Sequence, residues 1–144
     1  MPIKYHIDRD RRIVFGRLVG KVTVQEMFDY SHEVWVRPEV AGFDEVVETG
    51  GTNEIETPTP AALRTLATRS AVLAATVPRG RLVIVARQQV QYGLGRMYEV
   101  YRGLEPGRTQ EVAVFRTLAE ASAFLGTDVT AAAPPEEPRP EPAD

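Results

Sequence analysis

Tyr5 and Ile7 alternate with Lys4, His6 and Asp8, and after the polar run Arg9, Asp10, Arg11 and Arg12 the theme resumes in Ile13, Phe15 and Leu18. Alternation broken by a polar connection of hairpin length predicts two antiparallel strands, over residues 4–8 and 13–19. The period then changes. Thr23 and Glu26 stand at capping-box spacing, and Val24, Met27, Phe28, Ser31, Val34 and Trp35 share one face of a helix that runs from Val24 to Val36 and stops before Pro38. Phe43 to Glu48, centred on Val46 and Val47, reads as a short strand, followed by a permissive loop around Gly50 and Gly51.

Thr59 and Pro60 mark a second helix start, with a threonine cap and a proline in the first turn, where its missing N–H costs nothing. Leu63, Leu66, Ala67, Ser70, Ala74 and Val77 carry that helix down to Pro78. Next comes Leu-Val-Ile-Val-Ala, residues 82 to 86, between Arg81 and Arg87. Five consecutive apolar residues, three of them β-branched, fit a central strand covered on both faces. Val90, Leu94, Met97, Tyr98 and Tyr101 recur at helical spacing in a third helix closed by Gly103, and Gly93 and Gly95 inside it allow a close approach. A last strand over residues 111–115 and a helix capped by Thr117 and Glu120, ended by Gly126, complete the pattern.

Strands alternating with helices predict an α/β fold: a mixed, mostly parallel five-stranded sheet with four helices and an opening β-hairpin. At 144 residues the chain suits one domain, and 43% hydrophobic residues supply its core. Composition changes after Gly126. Five of the eleven prolines fall between Pro134 and Pro142, among acids and alanines, so residues 1–126 are expected to form the domain and residues 127–144 a disordered acidic tail. That tail sets five acids against Arg139, a net of −4, leaving +1 of the chain's −3 to the other 126 residues. A nearly neutral body offers no footprint for nucleic acid, and Arg9, Arg11 and Arg12 read as a solvated turn shared with Asp8 and Asp10. There is no cysteine, which excludes thiol catalysis and thiolate metal sites. Without a spanning run or signal segment, no membrane insertion is expected and a cytoplasmic location follows by default.

The strand from residue 13 to Gly20 leading into the Thr23 helix, the Leu82–Ala86 strand, Tyr-Gly-Leu-Gly-Arg-Met-Tyr-Glu from Tyr92 to Glu99, and residues 112–115 followed by Glu120, Ala121, Phe124 and Leu125 carry a resemblance. In their order and spacing they resemble the STAS-like (SpoIIAA-like) family, in its uncharacterised bacterial single-domain branch, over nearly all of residues 3–126. The resemblance implies a SpoIIAA-like fold used to bind partners. Some relatives are anti-sigma-factor antagonists, switched by phosphorylation of a serine after the third strand. The corresponding loop here has no serine, leaving Thr52, Thr57 and Thr59 as phosphorylation candidates. Another branch resembles the lipid-carrying CRAL-TRIO fold, which implies an apolar pocket.

Neither His6 nor His32 has a partner at metal-ligand spacing, so no metal and no cofactor are expected. Glu45, Glu48, Glu54 and Glu56 read as a solvated charged loop, for lack of a base, nucleophile or metal partner nearby. Tyr92, Tyr98, Tyr101, Met97, Trp35 and Phe28 read as core. In open α/β sheets ligands and partners dock at the C-terminal ends of the strands. That rule selects Gly50, Gly51, Thr52 and Asn53 with Gln88, Gln89, Tyr92 and Arg96 as binding candidates. With no catalytic triplet to assemble, the expected function is a non-enzymatic interaction or regulatory module that receives a protein partner, with a homodimer as a further expectation. The alternative is a small-molecule or lipid carrier with an apolar cavity between helices two and three and the sheet.

Overall fold

The computed structural model describes residues 3–49, 59–105 and 110–134. Five strands form one sheet in sequential order: β1 (Ile3–Asp8), β2 (Ile13–Leu18), β3 (Asp44–Thr49), β4 (Leu82–Ala86) and β5 (Val112–Phe115). β1 and β2 pair antiparallel as the opening hairpin, and every later pairing is parallel. Four helices connect or follow them: α1 (Val24–Trp35), α2 (Pro60–Thr76), α3 (Gln89–Leu104) and α4 (Leu118–Leu125). The expected α/β class is therefore the observed one.

Local chemistry sets the helix starts. Thr23 and Glu26 close a reciprocal capping box on α1, the Thr59 hydroxyl accepts from the Ala62 N–H at 3.1 Å, and Thr117 accepts from Glu120 N–H at 3.2 Å. Gly126 ends α4 in the left-handed region, at φ 73°. Gly103 does not close α3, which continues through Leu104 to a cap at Glu105. Gly95 does allow a close approach, and what approaches is the sheet: a Cβ there would stand 3.0 Å from Val114 Cγ1. Gly93 faces open space.

Sequential strand order has a consequence for layering. Right-handed crossovers that always step in the same direction deliver their helices to the same face. So α1, α2 and α3 all lie over the face that carries Val14, Leu18, Val47, Leu82 and Ile84. The other face presents Ile13, Phe15, Val46, Val83 and Val85. The Leu82–Ala86 strand is thus clad on both sides, as its uninterrupted apolar run requires.

The eight residues of α4 cover the second face over β4 and β5 but leave β1 and β2 bare. Residues 127–134 supply the missing cover, which moves the expected end of the folded domain beyond Gly126. A 3-10 turn, Val129–Ala132, packs on β2 and β1 with Val129 and Ala132 fully buried among Ile13, Phe15, Val46 and Leu125. Val129 N–H donates to Ser122 Oγ at 3.1 Å, and Arg17 Nη1 donates to the Pro134 carbonyl at 2.9 Å. The proline-rich composition had pointed to a tail, but two small apolar side chains and two hydrogen bonds fix its first eight residues. Residues 135–144 lie outside the described residues.

Candidate functional site

A cavity of about 140 Å³ lies between α1, α2, α3 and the sheet. It runs from Thr49 and Gln91, at the C-terminal ends of the strands, to Glu45, Arg79 and Leu82 near their N-terminal ends. Leu18, Met27, Val47, Leu66, Ile84 and Leu94 give it an apolar wall.

Its inner end is polar, and one glycine makes that possible. Gly16 sits in β2 directly under Tyr30 of α1, where an added Cβ would stand 2.8 Å from the phenol oxygen. The bare backbone lets Tyr30 reach down to the sheet and donate to Glu45 Oε2 at 2.8 Å. Arg79, in the loop after α2, donates from Nη2 to Glu45 Oε1 at 2.5 Å, with its side chain only 3% exposed. Its guanidinium lies 4.4 Å from the Trp35 ring centroid, a cation–π contact in a desolvated setting. The bond to Glu45 is the one hydrogen bond this guanidinium makes among the described residues; Nε is buried without a partner.

Beside this pair, Tyr98 of α3 donates to Ser70 Oγ of α2 at 2.9 Å. Burial pushes the Tyr98 phenol above its ordinary range, and burial followed by the Glu45 charge pushes Tyr30 well above it, so both groups stay neutral. Arg102, one turn beyond Tyr98, is 1% exposed; among the described residues it bonds Gln110 Oε1 alone, at 3.3 Å, and Nε and Nη1 are buried without a partner. Burial lowers its pKa, and Arg79 adds to that by repulsion. At the opposite end of the cavity the Thr49 hydroxyl donates to Gln91 Oε1 at 2.7 Å.

The carboxylates of β3 correct the sequence reading. Glu45 and Glu48 do not belong to a solvated loop: they are 3% and 4% exposed, on opposite faces of one strand. Glu48 joins Arg17, at 2.7 Å, to Arg87, at 3.2 Å, on the face away from the cavity. A buried carboxylate needs such partners, and arginines from distant segments provide them. Glu54 and Glu56 lie outside the described residues.

Of the binding candidates, Gly50, Gly51, Thr52 and Asn53 also lie outside the described residues, as does Thr57. Thr59 is described, and its hydroxyl serves as the α2 cap. Gln88, Gln89 and Tyr92 gather where β4 hands over to α3, with Arg116 4.2 Å above the Tyr92 ring centroid. Arg96 lies two turns into α3, exposed and paired with Glu99 at 2.9 Å, so it stands back from that rim. His6 and His32 are exposed on separate elements. Among the described residues no cluster of three or more potential metal ligands occurs, and no helix is long and apolar enough to cross a membrane.

Tyr30, Glu45, Ser70, Arg79 and Tyr98 were not singled out together by sequence. The one available signal was Gly16, a glycine inside an apolar strand, which marks a close approach of something to the backbone. A scan against protein-family models and searches of curated proteins and of solved structures found no match to this chain.

Proposed function

We propose that this protein binds a small, mostly apolar molecule in the cavity beneath α1, α2 and α3, which is the carrier reading rather than the interaction module. One observation carries the proposal: an apolar-walled space of about 140 Å³ ends in a compact set of buried polar groups. Ligand sites combine such walls with a few convergent polar groups that fix orientation. The volume is close to the roughly 150 Å³ apolar cavity that takes up benzene. A ring compound or a short branched chain fits this scale. The element order supports the STAS-like resemblance as a proposal of ancestry, and no catalytic step is assigned.

Native mass spectrometry of freshly purified full chain tests the reading. A mass excess under native conditions is expected, lost in Leu66→Trp, where an indole would fill the space between α2 and the sheet. Absence of any bound species, together with no thermal stabilisation by small aromatic compounds, would sink it.

A second reading, a protein partner at the rim after β4, is favoured by Val90, 66% exposed beside Gln88 and Gln89. Val90→Glu should then abolish a cross-linked complex in lysate while leaving cavity binding intact; a complex that survives the change places the partner elsewhere.

A further inference from the structure

The polar end of the cavity has hydrogen-bond donors left over. The Ser70 hydroxyl accepts from Tyr98 and donates to none of the described residues, and a hydroxyl proton can rotate toward a guest. Arg79 spends one N–H on Glu45, and its guanidinium fork has further donors. Each Glu45 oxygen already receives one of these donors, Tyr30 on one and Arg79 on the other. Among the described residues, the buried charged nitrogen left without a partner at this end, Arg79 Nε, is a donor.

Among the described residues this end also carries more positive than negative charge. Around Tyr98, the buried charged groups among the described residues are the guanidiniums of Arg79 and Arg102 and the carboxylate of Glu45. Among the described residues Arg102 makes no ion pair. The carboxylate that acts on it, Glu105, accepts from Thr68 at the exposed edge of the α2–α3 contact. Two buried cations against one buried anion is a costly state, and a bound anion at the inner end would relieve it.

Resting on the cavity reading above, we infer that the ligand is a small apolar carboxylate. It is held with its hydrocarbon part against Leu18, Leu66 and Leu94 and its carboxylate at Ser70 and Arg79. Arg79 then bridges two carboxylates, that of Glu45 and that of the ligand. Arg102 contributes through the field it imposes rather than by touching the guest, since its unpartnered nitrogens are enclosed. The Trp35 ring beneath Arg79 keeps the guanidinium in place for this role. A guest with a cationic end would meet two like charges, and a plain hydrocarbon would leave the donors unused.

Four probes of matched size separate these cases on the full chain: benzoate, acetophenone, isopropylbenzene and 1-phenylethylamine, each titrated by calorimetry. Benzoate should bind about tenfold or more tighter than isopropylbenzene, the return on a hydrogen bond to a charged group, and the amine weakest of all. Ser70→Ala should lower benzoate affinity by about tenfold and leave isopropylbenzene within about twofold. If isopropylbenzene or acetophenone binds as tightly as benzoate, or the amine binds best, the carboxylate inference is overturned while the cavity reading survives. Benzoate binding that Ser70→Ala leaves unchanged is surface association and overturns it too. Failure of all four probes removes the cavity reading and this inference with it.

Discussion

Gly16 has no side chain, and the Tyr30 phenol occupies the space one would take. Gly16→Ala therefore forces Tyr30 up and lengthens its bond to Glu45. A loss of about 1 to 3 kcal/mol in denaturant unfolding is expected, as for other overpacked sites. In the Tyr30→Phe background the same change should cost less, because the atom at 2.8 Å is gone; equal costs in both backgrounds would show that the contact is unimportant. Tyr30 also sets a pH dependence. Its folded pKa is raised, so its contribution to stability is complete below the unfolded value, about 10, and declines as pH rises above it. Wild type should lose stability more steeply than Tyr30→Phe above about pH 10, measured by urea unfolding at fixed pH. Parallel slopes would show that the phenol titrates normally.

At the scale of elements, β3 holds two buried carboxylates on opposite faces, each answered by arginines from remote segments. Breaking the inner pair with Arg79→Met leaves Glu45 buried and uncompensated, and about 3 to 5 kcal/mol should be lost. Adding Glu45→Gln removes the stranded charge and keeps an acceptor for Tyr30, so the double variant should recover most of that loss. A double variant no better than Arg79→Met would assign the cost to lost packing on Trp35 instead. Three of the helices, by contrast, were legible from local signals: capping threonines at 23, 59 and 117 and the period of 3.6 marked α1, α2 and α4, while α3, without a side-chain cap, runs past the expected stop at Gly103. The Leu82–Ala86 strand was legible because continuous apolarity has few other solutions. Glu45 was not, because its face depends on pairing with Val14 and Leu82, and its partner Arg79 stands 34 positions away. Non-local pairings leave no periodic trace in a single sequence.

At the scale of the whole molecule, stepwise strand order stacks three helices on one side and a thin cover, α4 with Val129–Ala132, on the other. The thick side is where helices can separate enough to leave a void. On the thin side Val129 is fully buried, and Val129→Ala, which opens a gap over Ile13 and Phe15, should cost roughly 2 kcal/mol in thermal or denaturant unfolding. A cost near zero would mean the 3-10 turn does not share the core. Occupying the void works in the other direction: benzoate at a hundredfold excess over its dissociation constant should add about 2.7 kcal/mol to the unfolding free energy. No shift in melting temperature at that excess would argue that the unfolded chain binds it equally.

The bond from Arg17 to the Pro134 carbonyl spans 117 positions of sequence. During synthesis, then, Ile13 and Phe15 leave the ribosome early and wait, oily side outward, until the segment that shelters them has been translated. A released chain truncated before Val129 should be a chaperone client, and one extended through Pro134 should not.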